Sequence, residues 1–388
     1  MQNPRRVRDL GVVVGTLPTG PLNAITDVPG VRVGQTTLTG DGLNTGVTAI
    51  VPDGYAETLP AAVAVGNGYG KLIGTTQVDE LGVIETPILL TGTLSTFRVA
   101  DALVTWLLDR NPRATSLNPI VGETNDAYLS DIRRRPITPE HVHAALDSAS
   151  STLPLEGCAG AGTGTTALGF KAGIGTSSRT LAPGATPSPS PAPASPTPAP
   201  PASPASPSPA SAPPASAPPA SAPPASAPPA SAPPASASVP GERAGAAGAL
   251  AGYTVGVLVQ ANFSGLLTVL GRPVPATPVD ADGNSCMIVV ATDLPLDARQ
   301  LGRLARRAVF AMGRVGSDFA PGSGDYAIAF TTNRTPGYAD GDLRGPFQAV
   351  TESVEEALLN SLTMAQTTTG HRDHTAHAVS HNLIRDLT

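Results

Sequence analysis

The chain has only two cysteines, Cys158 and Cys286, among its 388 residues. Two are too few for a disulfide framework, and their spacing fits no metal motif. Aromatic residues are scarce at 4%. No apolar run approaches the roughly 18 residues that a membrane-spanning helix needs. Charge is also thin. There is no block of one sign, and a net charge of −6 with pI near 5.5 gives no pull toward nucleic acid or an acidic membrane. The start of the chain, with Arg5 and Arg6, is not followed by an apolar signal region or a small-residue cleavage site. The expectation is a soluble cytoplasmic protein.

Proline, by contrast, is abundant, with 42 residues. Much of it lies in one segment. From Thr180 to Gly241 the chain carries no charged residue, and between Pro209 and Ser236 it repeats Ala-Ser-Ala-Pro-Pro. Such a tract cannot bury enough apolar surface to offset its ordering entropy, so residues 181–240 read as a disordered insertion of polyproline character. A five-residue unit is too short to stack as a solenoid. Apolar strand-like segments resume on both sides, which places the insertion at a hairpin tip, where extra length costs little. Recognition of the tract by a proline-binding partner is the other reading.

Outside the tract, short apolar runs alternate with Pro, Gly and Asn turns, the pattern of β-strands. Such runs occupy residues 11–15, 31–34, 47–51, 61–71, 86–91, 167–174 and 252–262. The Gly-rich corner at Gly66, Gly68 and Gly70, ending in Lys71, is not a phosphate loop. That motif needs glycine and a hydroxyl where Val65 and Leu72 stand. Close approach of two backbones explains the glycines better.

Helical spacing of Val99, Leu103, Trp106 and Leu107 predicts a helix over 95–110, and Thr138-Pro139-Glu140 opens another. Asp297 caps a third, with Leu301, Leu304, Ala308 and Met312 buried and Arg299, Arg303, Arg306 and Arg307 on a solvated face. A last helix is read from Ser353 to Leu362, with Ser353 and Glu356 as its capping box. His371, His374, His377 and His381 fall in a polar tail, residues 365–388, read as solvated and partly disordered rather than as a metal site. His141 and His143, two apart on a helix, face different ways.

The stretch the chain is built around is Asp282-Gly283-Asn284-Ser285-Cys286, running into a β-branched apolar strand. Cys286 reads as a small core residue. Ser285 starts a rigid strand behind a flexible corner, and two readings stand from the residues alone. One is an ordinary turn. In the other, the Ser285 hydroxyl attacks the carbonyl of Asn284, and an N→O acyl shift with ester hydrolysis cuts the chain into 1–284 and 285–388. The cut would leave Ser285 with a free α-amine, of pKa about 7.7–8.0, as its own base. A serine amidohydrolase usually takes its base from histidine, and every histidine here lies on one helix or in the tail. An amine on Ser285 would fill that gap.

Gly122-Glu123-Thr124-Asn125-Asp126, Gly283-Asn284-Ser285 and Gly322-Ser323-Gly324-Asp325-Tyr326, with residues 20–34, 85–91, 160–164 and 255–262, carry a family resemblance across nearly the whole chain. It resembles the β-peptidyl aminopeptidases and the L-aminopeptidase/D-amino-acid esterase-amidases, which are self-cleaving N-terminal-nucleophile hydrolases; nylon-oligomer hydrolases are more distant. The resemblance implies an αββα sandwich with strand connectivity unlike other N-terminal-nucleophile enzymes. It also implies α and β chains that stay together in a homo-oligomer, and no cofactor or metal. Ser285 matches the nucleophile, Ser323 and Asp325 the pair that orients it and its amine, Asn262 the oxyanion donor and Tyr128 a tyrosine lining the site. Glu123 matches the carboxylate that holds a substrate amine. Some relatives have Glu in place of Asp325.

The activity expected is removal of small N-terminal residues, or hydrolysis of amino-acid amides and esters of L, D or β type, through an acyl-Ser285 intermediate. Two rivals remain. One is an acyltransferase resembling the ornithine acetyltransferases, which use threonine at this position. The other is a non-catalytic protein that recruits a partner through its Pro-Ala-Ser arm.

Overall fold

In the computed structural model, residues 3–182, 252–275 and 284–387 are described. The first half of the chain supplies strands β1 (Val31–Gly40), β2 (Leu43–Pro52), β3 (Leu59–Gly68), β4 (Leu72–Ile73), β5 (Val83–Ile84), β6 (Ile88–Gly92) and β7 (Ile120–Thr124). Helices α1 (Thr75–Leu81), α2 (Thr96–Arg110) and α3 (Pro139–Asp147) lie among them. Five strands form one sheet in the order β1-β2-β6-β7-β4. The apolar stripes of α2 and α3, with Val99, Leu103, Trp106, Val142 and Leu146, cover one face against Val47, Ala49, Leu89 and Val121.

The second half adds a two-residue pair, β8 (Thr166–Ala167) with β9 (Phe170–Lys171), then β10 (Ile174–Leu181) and β11 (Tyr253–Asn262). A small hairpin, β12 (Thr268–Val269) and β13 (Arg272–Pro273), precedes β14 (Asn284–Thr292). Helix α4 (Ala298–Ala311), β15 (Ser323–Thr331), α5 (Arg344–Thr363), the pair β16 (Thr368–Thr369) and β17 (Thr375–Ala376), and α6 (His381–Arg385) complete it. Its sheet runs β10-β11-β14-β15-β3-β5. Along β14 the side chains alternate. Met287, Val289 and Ala291 meet the first sheet, while Cys286, Ile288 and Val290 meet the α4/α5 layer. Burial on both faces is why this strand reads as one unbroken apolar run. The layers stack as helices, sheet, sheet, helices, an αββα sandwich of the α+β class.

Several expectations change. Residues 11–15 form no strand, although Val12 and Val14 are buried and Val13 is 58% exposed. The backbone just beyond them is held by Glu352, which accepts from the N–H groups of Thr16 and Leu17. The run 167–174 is a tight turn with Leu168 and Gly169 in left-handed conformation, not one strand.

The last helix begins at Arg344, nine residues before Ser353, so Ser353 and Glu356 are no cap. Glu356 is wholly buried and bound to Arg8 (2.6 Å) and Arg179 (2.7 Å), and Glu352 also pairs with Arg179 (3.1 Å). Burial pushes Glu356 up, and the bonds from Arg8, Arg179 and Asn23 outweigh it, so its carboxyl sits below the usual range. The tail is ordered too: Val379 and Ile384 are buried, and His381 Nε2 donates to the Thr363 carbonyl at 2.9 Å. Most of the Pro-Ala-Ser insertion lies outside the described residues. Its flanks pair antiparallel, with Leu181 opposite Tyr253, as a hairpin-tip position requires. Among the described residues, no helix is long and apolar enough to cross a membrane.

Candidate active site

Ser285 stands near the start of β14, a central strand of the second sheet, opposite Asn262 on antiparallel β11 and beside Gly324 on parallel β15. It is 2% exposed, as is Asn262. The Ser285 hydroxyl donates to the carbonyl oxygen of Asn284, the peptide immediately before it. Ser285 shares the parity of Met287, and Asn262 that of Gln260, whose amide reaches Thr91 and Thr124 of the first sheet. Both therefore face the space between the sheets. Directly opposed strand residues bring their Cβ atoms within about 4.5–5.5 Å. Asn262 Oδ1 accepts from the Thr166 N–H at 3.0 Å, which turns its donating end away from Thr166.

Ser323 and Asp325 approach from the other side. Ser323 Oγ donates to Asp325 Oδ1 at 2.7 Å, and Asn67 Nδ2 donates to Asp325 Oδ2 at 2.9 Å. The Cys286 N–H also donates to this carboxylate, so the pair lies along the main chain at Ser285 rather than at its hydroxyl. Burial raises the Asp325 carboxyl, and the bonds from Ser323, Asn67 and Cys286 draw it part of the way back. Burial, with Asp325 adding to it, pushes the neighbouring Cys286 thiol well up; this cysteine is core, as read.

The Gly-rich corner closes the site. A Cβ on Gly324 would stand 2.8 Å from the Gly70 Cα and 3.0 Å from the Tyr69 carbonyl oxygen. Only glycine lets β15 and the chain beyond β3 meet there, which is the close backbone approach expected. It also places Lys71. The Lys71 N–H (2.9 Å) and Nζ (3.1 Å) both donate to Glu123 Oε1. Glu123 is 2% exposed, and its Oε2 is buried without a hydrogen-bond partner among the described residues. A buried carboxylate oxygen without a donor is suited to a cation. Three residues on, Asp126 is buried with the Thr45 hydroxyl and Lys171 nearby. Burial, with Glu123 adding to it, lifts its carboxyl to about 6.

The structure thus brings Ser285, Asn284, Asn262, Ser323, Asp325 and Glu123 to one edge of the sandwich. Among the described residues, no hydrogen bond or ring contact joins Tyr128 to any of them. Its ring stacks on His374 at 4.6 Å, and it lines a cavity with no residue from β11, β14 or β15. Asn67, Lys71 and Thr166 were missed by sequence reasoning. For Asn67 the signal was a polar residue between Gly66 and Gly68 at a strand end. For Thr166, whose main chain does the work, there was none.

The family description "Peptidase family S58" matches residues 23–188 and 235–376. The chain is 34% identical to the β-peptidyl aminopeptidase of Sphingosinicella xenopeptidilytica, covering 97% of this chain and 89% of that one. Among solved structures, a Burkholderia sp. β-aminopeptidase is similar at TM-score 0.77 and 31% identity, over 98% of both chains. The L-aminopeptidase D-Ala-esterase/amidase of Ochrobactrum anthropi, described as a variant of the Ntn hydrolase fold, follows at TM-score 0.73 and 30% identity, over 98% and 97%. With this fold and these relatives, the chain belongs to peptidase family S58 and is a serine aminopeptidase/amidase of the N-terminal-nucleophile type.

Proposed function

We propose that the enzyme matures by cutting its own Asn284–Ser285 bond. The observation that carries this reading is the Ser285 hydroxyl lying against the Asn284 carbonyl, opposite Asn262. Ser285 Oγ attacks the Asn284 carbonyl carbon, the C–N bond breaks, and an ester forms while the α-amine of Ser285 is released. Water then hydrolyses the ester, leaving a carboxylate on Asn284 and the hydroxyl on Ser285. The products are an α chain, 1–284, and a β chain, 285–388, which remain in one αββα unit and assemble as a homo-oligomer.

In the mature enzyme the Ser285 α-amine takes the hydroxyl proton, and Oγ attacks the carbonyl of the substrate's first residue. Asn262 donates to the tetrahedral oxyanion, and the amine protonates the leaving group. Ser323 and Asp325 hold the amine, through their position along the main chain at Ser285. Glu123 Oε2 accepts the substrate's ammonium. Tyr128 takes no chemical step. Substrates are short peptides, amides or esters with a small, free-amine first residue, and the relatives' names favour a β-amino residue.

Intact-mass spectrometry of the purified protein and of Ser285→Ala tests this. Two wild-type fragments, the smaller starting at Ser285, and one uncut, inactive variant are expected. A variant that is still cut and active would sink the proposal.

A further inference from the structure

The loops that follow β6 and β7 enclose a cavity of about 560 Å³ that the reaction above does not use. Its walls include Leu94, Tyr128, Asp131, Arg133, His371 and Arg372. It opens at the same edge of the sandwich as Ser285. Thr124, which ends β7, is bound by Gln260, two residues before Asn262, and Glu123 lies against Gly70 beside Gly324, the strand partner of Ser285.

The lining of this cavity carries two arginines against one aspartate. Arg133 and Arg372 are both exposed, and neither has an ion-pair partner among the described residues. Asp131 is the one acidic side chain in the lining, and Asp373 stands exposed beside Arg372. The wall is also built rather than incidental. His371 N–H donates to the Leu129 carbonyl at 3.0 Å, and His374 Nδ1 donates to the Tyr128 carbonyl at 3.0 Å while its ring stacks on Tyr128. Between them Arg372 (φ 56°) and Asp373 (φ 59°) are both left-handed. Non-glycine residues hold that conformation only where their surroundings impose it, often at ligand clamps.

We propose that this cavity receives the C-terminal carboxylate of a short peptide whose free amine is held at Glu123. The inference rests on the function proposed above and narrows its substrate class to di- and tripeptides with both ends free. A guanidinium matches a carboxylate in charge and fork geometry. Leu94 and Tyr128 add apolar and aromatic surface to the same lining, for the side chain between the two ends. The amine and the carboxylate are then read by opposite charges on one loop, which leaves β7 at Glu123 and reaches Arg133.

The test compares kcat/KM for a β-alanyl dipeptide with a free C-terminus and for its C-terminal amide. It uses the wild type and the double variant Arg133→Gln, Arg372→Gln. The wild type is expected to prefer the free acid by about fivefold or more, a preference that shrinks at high salt. The double variant is expected to lose the preference while hydrolysing the amide at the wild-type rate. Equal use of acid and amide by the wild type, or a preference that survives in the double variant, overturns the inference. So does a wild type that ignores the peptide's carboxylate but is inhibited by added succinate, since the cavity then takes a free acid. A wild type that hydrolyses neither substrate points instead to failure of the proposed function itself.

Discussion

At Asn262 a single main-chain contact fixes which end of the side-chain amide accepts. The Thr166 N–H donates to Oδ1, so in the proposed mechanism Nδ2 is the end that donates to the oxyanion. Asn262→Ala is expected to lower kcat by about 10²–10³ with little change in KM, measured by steady-state hydrolysis of an amide substrate. Asp126 poses the opposite case, a buried carboxylate with poor company. Its carboxyl titrates at about 3.9 when unfolded and at about 6 when folded. The folded state keeps the proton longer, so stability falls as pH rises from about 4 to about 6 and stays lower above that. Asp126→Asn removes this pH-dependent cost. The stability difference between variant and wild type should therefore rise by about 2 kcal/mol between pH 4 and pH 7, read from unfolding midpoints. Ser285 was singled out by a strand end and turn chemistry as well as by the family resemblance, whereas Asn262, Ser323, Asp325 and Glu123 came from the resemblance; the structure gathers all five at one edge. Asn67 was not legible, because its bond to Asp325 spans 258 residues and no local pattern encodes such a pairing.

The helices and strands were legible where burial is periodic and failed where polar groups are buried in pairs. Helix α5 is the clearest instance. Glu356 reads as half of a capping box at the helix start, yet it is buried with Glu352 and Glu355 inside α5, and all three are paired to arginines. Residues 11–15 failed for another reason: alternation reports which side chains are buried, and it does not supply a neighbouring strand. The Arg179 pairings join β10 to α5. Arg179→Met leaves two buried carboxylates short of a partner and should destabilise the protein by about 3–5 kcal/mol. Denaturant unfolding in the uncut Ser285→Ala background would measure it as a two-state transition.

For the molecule as a whole, the layer order followed from the family resemblance, whereas the cross-sheet register emerged only in three dimensions. The Pro-Ala-Ser insertion joins two strands whose ends already face one another, Leu181 and Tyr253. Replacing residues 183–251 with a four-residue turn is expected to leave both self-processing and amide hydrolysis close to wild type. Intact mass and a rate assay would check this, and a loss of either would give the arm a part in the chemistry. The second sheet carries a different consequence. Strands β14 and β15 stand between β11 and β3, so the shorter product of the proposed cut would be clasped on both flanks by the longer one. The two pieces could not part without dismantling the sheet, and once parted they would have to find each other again by diffusion. Maturation by that cut would therefore work as a ratchet: the intact precursor can retrace its folding path, whereas a cut enzyme would hold a shape that its two chains reached only because they began as one.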